Sequence, residues 1–377
     1  MRVGIDTLFE TPRAGTGGLT YLMSLVEGMG RVKGDHEVVV FVSEANRSYF
    51  DGAPGVDVVE VGASNESIGR RIWTQQVRLD RAAQRMGCDA LLGAGNSVPL
   101  FGRVPSAVVL HSLLFLTQLN HPDIVRGIYR RNVVRESCVK ARRIIPVSQY
   151  AADALLRWEP SFAPKTRVVL EGVGHGFTSE RHGRDPYEGL RDDGSRILLF
   201  ASRLWPYKNV DVCIRALAAY RGSIPVRLAV VGGDFKGEEA RLRNLAGECG
   251  VTDRVRFLGH VPQQEMPRMY SWADCFVYPS RREWFGLPLL EAMASGVPVL
   301  AARTSCIPEI AGYGALFFDA DDFAGMANDL ETVMTDAAER AALVERGFRR
   351  AQEFSWERCA RETLAVLQEV AKDDGGA

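Results

Sequence analysis

Short apolar runs rich in β-branched residues alternate with longer amphipathic stretches along nearly the whole chain of 377 residues. Residues 2–5, 37–42 and 107–111 have the composition of buried strands, and residues 19–29 have the apolar spacing of a helix. Parallel strands need long crossover connections, which are usually helices. The alternation therefore predicts an α/β protein in which helices cover both faces of parallel sheets.

One polar segment divides this alternation into two parts. Residues 179–195 read SERHGRDPYEGLRDDGS and contain few apolar side chains, and a new strand pattern begins at Ile197. The chain is also long enough for two domains. We therefore expect two tandem doubly wound, Rossmann-like domains over residues 1–180 and 181–356. They would face each other across a cleft, with a ligand bound at the carboxyl ends of the strands.

The charge balance and the cysteines exclude several classes of protein. The 46 basic and 47 acidic residues give a formal net charge of −1, which argues against a protein built to hold nucleic acid. The seven cysteines have neither metal-ligand nor redox spacing, as expected of reduced thiols. The N-terminal residues lack the pattern of a signal peptide, and no apolar run suits a membrane span. We expect a soluble cytoplasmic protein.

The sequence lacks several common nucleotide-binding and hydrolase motifs. Gly15-Thr-Gly-Gly18 follows the first strand pattern, but Thr20 stands where a dinucleotide fingerprint needs its third glycine. There is no Gly-Lys dipeptide of a phosphate-binding loop and no Gly-x-Ser-x-Gly elbow. A nicotinamide dehydrogenase, an ATPase with such a loop and an α/β-hydrolase are therefore not expected.

The densest motif is Glu283-Trp-Phe-Gly-Leu-Pro-Leu-Leu-Glu291, in which a loop leads into a helix. The proline suits the first helical turn, where its missing N–H costs nothing. The free N–H groups of Gly286, Leu287 and Leu289 would form an anion site at the positive end of the helix. Glu283 and Glu291 would then flank a bound phosphate and accept hydrogen bonds from the hydroxyl groups of a ribose and a hexose.

Three weaker patterns fit the same kind of ligand. Arg203 and Lys208 lie on a strand-to-helix loop, where two cations would clamp a diphosphate. Gly17 and Gly18 belong to the glycine-rich loop, whose backbone would approach a ligand closely. His111 ends an apolar strand and would bond to a substrate hydroxyl. Each pattern also has a simpler interpretation, as solvated charges, a flexible turn or a structural histidine.

Together these motifs resemble the retaining glycosyltransferases of family four, the glycosyl transferases of group 1, over nearly the whole chain. The resemblance implies the two-domain GT-B architecture, with a C-terminal helix at residues 357–372 packed back on the first, acceptor-side domain. It implies transfer of a hexose, of the mannose or glucose type, from a GDP- or UDP-linked sugar to a hydroxyl with retained configuration. It also implies that no metal ion or other cofactor takes part.

The resemblance also implies a role for each motif residue. Arg203 and Lys208 would bind the donor diphosphate, Glu291 the ribose and Glu283 the donor sugar, and His111 would lie at the reacting centre. The nucleotide base would be recognised by the residues that directly follow the strand ending at Gly259. The full expected donor-binding set is Gly17, Gly18, Arg203, Lys208, His260, Val261, Glu283, Phe285, Gly286, Leu287 and Glu291.

Two other functions stay open at this point. A sugar-nucleotide 2-epimerase shares the architecture and would need no acceptor, and a pseudo-glycosyltransferase would keep the nucleotide-sugar site without turnover. Ser112 stands where many family members have Asp, and Trp284 where many have Gly. Neither replaces an expected ligand. The sequence leaves the acceptor, the linkage, the sugar, the base and the oligomeric state open. The resemblance implies a role in the synthesis of a glycan, a glycolipid or a glycosylated metabolite.

A basic run from Arg126 to Arg143 contains one acidic residue, Glu136. On a helix its arginines, which recur four residues apart, would form adjacent stripes. This run is either a solvated face or a peripheral contact with an anionic membrane or a phosphate-bearing acceptor.

Overall fold

The computed structural model describes residues 1–9, 17–62, 68–113, 124–174, 176–191 and 193–372, of which residues 68 and 124–130 are described by their backbone alone. The chain forms two compact units. Unit 1 comprises Met1–Gly172 and Ser355–Ala377, and unit 2 comprises Val173–Phe354.

Unit 1 is built on a parallel sheet of six strands in the order β3-β2-β1-β4-β5-β6. The strands are β1 (Arg2–Asp6), β2 (Glu37–Val42), β3 (Asp57–Glu60), β4 (Ala90–Gly93), β5 (Ser106–Leu110) and β6 (Arg143–Pro146). The direction of winding reverses between β1 and β4. In doubly wound sheets the crevice beside such a reversal, at the carboxyl ends of the strands, is where ligands bind.

Helices connect these strands and supply the apolar side chains that cover the sheet. They are α1 (Gly17–Val32), α2 (Ile68–Trp73), a π-helical segment (Thr74–Leu79), α3 (Asp80–Arg85), α4 (Ile124–Lys140) and α5 (Gln149–Trp158). Helix α1 buries Leu22 and Leu25 on the face toward the sheet, as its amphipathic pattern predicts. Ser148 caps α5 by accepting a hydrogen bond from the Ala151 N–H at 3.1 Å.

Unit 2 repeats the same plan with strand order β12-β11-β10-β7-β8-β9, again all parallel. Its strands are β7 (Arg196–Ala201), β8 (Val226–Val231), β9 (Val255–Gly259), β10 (Cys275–Tyr278), β11 (Val299–Ala302) and β12 (Ala315–Phe318). The reversal falls between β7 and β10. The loops that follow these two strands contain the two strongest sequence motifs.

The helices of unit 2 are α6 (Val210–Ala219), α7 (Glu238–Glu248), α8 (Met266–Ser271), α9 (Leu287–Ala294), α10 (Ile307–Ala311), α11 (Phe323–Thr335) and α12 (Ala337–Ala351). Asp322 and Asp336 cap α11 and α12 through their carboxylates. The expectation of two Rossmann-like α/β domains is confirmed, since each unit has one parallel sheet with helices around it.

The last helix, α13 (Trp356–Lys372), belongs to unit 1 and packs along α1. Gly28 on α1 allows this close approach, because a Cβ there would lie 2.8 Å from the Trp356 carbonyl oxygen. Trp356 and Leu367 are buried in the interface between the two helices and the sheet. All seven cysteines lie within the described residues, and none of them forms a disulfide.

The polar segment 179–195, expected as the linker between the domains, lies inside unit 2. Tyr187 in this segment is fully buried, and its hydroxyl donates to the Met269 carbonyl at 2.7 Å. Arg191 pairs with Asp274 at 2.6 Å. Polar contacts therefore hold the segment in place, and the division of the chain falls between Gly172 and Val173 instead of at residue 180.

None of the helices in the described ranges combines the length and the hydropathy that crossing a bilayer requires.

Gly232 allows the loop after β8 to approach the loop after β7. Its φ is 147°, and a Cβ at this position would lie 1.9 Å from the Ser202 carbonyl oxygen. We expect Gly232→Ala to lower the free energy of unfolding of the protein by about 2–4 kcal/mol in urea titrations, because the clash falls on backbone. Gly233→Ala is the matched control, since a Cβ there meets nothing within 4 Å. Equal losses in the two variants would contradict this explanation.

Candidate functional site

The loops after β7 and β10 are joined by a buried ion pair. The Lys208 Nζ donates to Glu283 Oε1 at 2.7 Å, and the two side chains are only 10% and 11% exposed. The strands that carry these loops are neighbours in the sheet, so residues 75 positions apart in the sequence come into contact. The sequence predicted Lys208 and Glu283 as ligands of two different parts of a donor. In the structure the two side chains form one ion pair.

Two hydroxyl side chains also hold Glu283. Its backbone N–H donates to Ser305 Oγ at 2.8 Å, and its carboxylate accepts a hydrogen bond from the buried Tyr278 hydroxyl. Burial, and then the charge of Glu283, raise the pKa of Tyr278 well above its usual value, so this hydroxyl stays a proton donor. Burial by itself lowers the pKa of Lys208, but the Glu283 carboxylate raises it above the ordinary value. Lys208 therefore stays charged.

Arg203, on the same loop as Lys208, is exposed and has a different environment. Its guanidinium lies 5.7 Å from the ring centroid of Trp205 and 5.6 Å from that of Phe235, and these two rings stack with centroids 3.5 Å apart. In the described part of the chain, no carboxylate pairs with Arg203. The aromatic rings thus orient the cation without neutralising it, a contact worth about 0.5–1 kcal/mol at an exposed site.

Helix α9 begins as the motif predicted, with Gly286 as its N-cap at φ 98° and Pro288 in its first turn. One detail differs, because the Leu289 N–H is not free. It donates to the Gly286 carbonyl at 3.0 Å. The N–H groups of Gly286 and Leu287 have no acceptor among the residues that the structure describes. The anion site at this helix end therefore has two free donors instead of three.

Glu291 lies one turn into α9 and is 7% exposed. Its Oε2 accepts a hydrogen bond from the Tyr270 hydroxyl at 3.0 Å, and its Oε1 accepts one from Gln263 Nε2 at 3.1 Å. No cation within the described ranges pairs with it. Burial raises the pKa of Glu291 to about 7, although the two hydrogen bonds oppose the shift.

The other donor-binding residues expected in unit 2 lie along the same sheet edge. His260 is exposed and Val261 is half-buried directly after β9, on the loop whose Gln263 reaches Glu291. Phe285 is buried, with its ring centroid 6.1 Å from that of Phe354. Leu287 is half-buried and Trp284, the departure from the family pattern, is buried.

In unit 1, His111 follows β5 and has both ring nitrogens near acceptors. Nε2 lies 2.9 Å from the Ala94 carbonyl oxygen, and Nδ1 lies 3.4 Å from Glu171 Oε1. The ring also meets Tyr21 edge-on, with centroids 4.3 Å apart. Sequence analysis missed Glu171. The one available signal was an acidic residue directly after the apolar run 167–170, at the edge where His111 was expected.

A second buried carboxylate lies at the carboxyl end of β1. Asp6 is fully buried, accepts from Gln75 Nε2 at 2.6 Å and from the Leu8 N–H at 2.9 Å, and burial raises its pKa to about 6. Gly17 and Gly18 are the first residues of α1, so they belong to a helix start rather than to a loop. Gly15 and Thr16 lie outside the described residues.

The basic run of residues 126–143, which covers most of α4 and reaches the first residue of β6, is partly used within unit 1. Arg143 pairs with Glu369 at 2.7 Å, and Arg135 lies 3.0 Å from Glu136. The side chains of Arg126 and Arg130 lie outside the described residues. Arg131 and Lys140 are exposed, whereas the ion pair with Glu369 engages Arg143 within the unit.

Comparison with known proteins assigns a family model to each half of the chain. The model described as glycosyl transferases group 1 matches residues 184–350, and the model described as Glycosyltransferase Family 4 matches residues 15–175.

Curated relatives are similar over part of their length. The chain is 29% identical over 252 residues to the O-antigen chain mannosyltransferase B of Escherichia coli, covering 65% of each protein. It is 33% identical over 224 residues to a D-inositol 3-phosphate glycosyltransferase of Corynebacterium efficiens, covering 57% of this chain and 52% of that protein. The chain thus spans between about half and two thirds of the length of these relatives.

Solved structures resemble the whole chain. A sucrose-phosphate synthase from Thermosynechococcus elongatus has a TM-score of 0.79 at 22% identity, covering 98% of this chain and 99% of its own. The Anabaena protein HepE, in complex with UDP and glucose, has a TM-score of 0.74 at 20% identity, covering 98% and 100%. At these identities the likeness shows the fold, which is the GT-B arrangement of two α/β domains.

The environment of Glu291 predicts a pH-dependent stability. Its pKa is about 7 in the folded protein and 4.5 ordinarily, so the folded state keeps the proton where the unfolded chain has lost it. The contribution of Glu291 to stability is therefore fully present below pH 4.5 and is lost as the pH rises through about 7. Relative to the wild type, Glu291→Gln should gain about 3 kcal/mol in the free energy of unfolding at pH 8 and far less at pH 5.

Urea unfolding at the two pH values measures this difference. Glu248→Gln, at an exposed position on α7 of the same unit, is the matched control and should show no pH-dependent gain. An equal effect of Glu291→Gln at both pH values would contradict the assigned environment.

Proposed function

Because the chain belongs to the glycosyl transferases of group 1, also called family four, we propose that it is an enzyme that transfers a hexose from a nucleoside diphosphate sugar to an acceptor hydroxyl. The observation that carries the proposal is the contact between Lys208 and Glu283 at 2.7 Å. This contact holds the basic loop after β7 against the loop that opens α9. The contact thereby fixes the positions of the anion-binding helix end and of the loop that carries Arg203, which has no carboxylate partner among the described residues.

In this proposal the donor diphosphate lies against Arg203 and the free N–H groups of Gly286 and Leu287. Arginine forms paired, charge-assisted bonds to phosphate oxygens, and the helix end adds partial positive charge. Lys208 contributes a second positive charge while it orients Glu283.

The two motif glutamates would bind the two sugars of the donor. Glu283 has a carboxylate fixed by Lys208 and Tyr278, which suits the hydroxyl groups of the transferred hexose. Glu291 is held by neutral donors, so its oxygens keep acceptor capacity for the ribose hydroxyls. His111 stays the proposed residue of the reacting centre, and His260 and Val261 stay the proposed contacts of the base.

The proposed chemistry retains the configuration at the anomeric carbon and needs neither a protein nucleophile nor a metal ion. The bond between the acceptor oxygen and the anomeric carbon forms on the face from which the diphosphate leaves. The bond to the diphosphate oxygen breaks, and that oxygen takes the acceptor proton. The role of the protein is then electrostatic, since its cations and N–H groups stabilise the charge that grows on the leaving group.

The donor sugar is proposed as mannose or glucose, linked to GDP or UDP. The Escherichia coli relative is named a mannosyltransferase, and the Anabaena structure contains UDP and glucose, which supports a hexose donor without choosing between them. A panel of GDP- and UDP-hexoses, assayed for nucleoside diphosphate release with and without an added hydroxyl acceptor, tests the activity. A peripheral contact with an anionic membrane through residues 126–143 stays a prediction.

Arg203 gives the sharpest test of the diphosphate site, because its removal leaves no buried charge unpaired. We expect Arg203→Ala to lower kcat at saturating donor by about a hundredfold, equivalent to ~3 kcal/mol of lost stabilisation of the leaving group. Arg256→Ala is the control, since Arg256 is exposed on β9 of the same unit, away from the carboxyl ends of the strands. Nearly normal turnover in Arg203→Ala would overturn the assigned site.

The stereochemistry of the product tests the mechanism separately. With an α-linked donor, we expect the NMR spectrum of the new glycoside to show an α-linkage, because attack occurs on the face of the leaving group. A β-linked product would mean in-line displacement, and the proposed mechanism would then be wrong.

A further inference from the structure

Glu171 is a buried carboxylate of unit 1 that lies outside every motif. It is 6% exposed and follows an extended segment that runs beside β6, where the Arg167 N–H donates to the Ile144 carbonyl at 2.8 Å. Among the described side chains, His111 is the one within ion-pair distance of Glu171, with its Nδ1 3.4 Å from Glu171 Oε1. A carboxylate this buried normally has a partner, and the structure provides one in this histidine.

The second nitrogen of the ring fixes where the protons must be. Nε2 lies 2.9 Å from the Ala94 carbonyl oxygen, which can only accept, so Nε2 carries a hydrogen. A neutral imidazole has one hydrogen, and its other nitrogen is an acceptor. That nitrogen would then face a carboxylate oxygen, which is also an acceptor. The arrangement is satisfied only when a further proton lies between His111 Nδ1 and Glu171 Oε1.

Within the described ranges, the ring has no other charged partner. Tyr21 packs edge-on against it, and the His111 N–H donates to Asn96 Oδ1 at 2.9 Å. Burial, followed by the neighbouring Cys359 and Glu171, raises the pKa of Tyr21 well above its usual value, so that its hydroxyl stays neutral. Cys359 is itself a buried thiol whose pKa burial raises, so it also stays neutral. Glu171 is therefore the charged group that faces His111.

We propose that Glu171 is a positioning residue, which holds His111 in one ring orientation with a hydrogen on each nitrogen. The proposal rests on the proposed function, in which His111 lies at the reacting centre. Without Glu171 the ring keeps a single side-chain hydrogen bond, to Ala94, and can rotate about its χ2 torsion. A misplaced group at a reacting centre affects the rate of the chemical step more than the affinity for the donor.

Two variants of Glu171 separate orientation from protonation. In Glu171→Gln the amide can donate to Nδ1, so the ring keeps its orientation and becomes the neutral tautomer with its hydrogen on Nε2. In Glu171→Ala the ring loses the bond altogether. Asp35→Asn, at an exposed turn at the opposite end of the sheet, is the control for the loss of a carboxylate in unit 1.

The first measurement needs no enzyme activity. Ring ¹⁵N spectra of the full chain, with the His111 signals assigned through His111→Ala, should show a hydrogen-bonded proton at Nδ1 in the wild type and in Asp35→Asn. In Glu171→Gln the Nδ1 signal should move to the position of an unprotonated nitrogen. Unchanged His111 signals in Glu171→Gln would overturn the proposal, whether or not the protein transfers a sugar.

The second measurement is a double-mutant cycle on turnover. Glu171→Ala should lower kcat by about 10- to 100-fold with little change in the KM for the donor, and Glu171→Gln should recover part of this loss. In a His111→Ala background, Glu171→Ala should have no further effect on kcat. An equal loss in both backgrounds would mean that Glu171 only stabilises the fold, and the positioning role would be wrong.

Discussion

The candidate site depends on one buried ion pair, between Lys208 and Glu283. Burying two charges is costly, and a buried pair is retained only when its geometry is good and further hydrogen bonds satisfy its atoms. Here Tyr278 and Ser305 provide those bonds. The pair also fixes the mutual position of two loops that follow neighbouring strands, so the anion-binding end of α9 and the basic loop after β7 cannot move independently.

Near this pair, Arg203 and Glu291 have no oppositely charged partner among the residues that the structure describes. Arg203 is held by aromatic rings, and Glu291 by a tyrosine hydroxyl and an amide. Glu291 does not favour the stability of the fold, because a buried carboxylate without a cation is desolvated at a cost, whereas the exposed Arg203 stays hydrated. Such uncompensated groups are typical of sites that complete their interactions with a ligand. In the proposed function the donor diphosphate and its ribose are that ligand.

Unit 1 contains a second group of polar side chains, which are held by hydrogen bonds at the carboxyl ends of its strands. Asp6 and His111 lie at the carboxyl ends of β1 and β5, and both make hydrogen bonds within the unit. The two nitrogens of His111 are already near acceptors, so in the proposed function this residue would act through its fixed orientation and its proton rather than through a free ring nitrogen. Glu171, which no sequence motif includes, is the residue proposed to fix that orientation.

The sequence by itself determined the two parallel sheets, because the alternation of apolar runs and amphipathic stretches is a local property of the chain. It also determined the start of α9, since Gly286 and Pro288 specify a helix beginning through their own backbone preferences. Only the tertiary structure decided the partners of the charged residues. Lys208 and Glu283 are 75 positions apart, and His111 and Glu171 are 60 apart. These contacts follow from the order of the strands in each sheet, and hydrophobic periodicity does not encode that order.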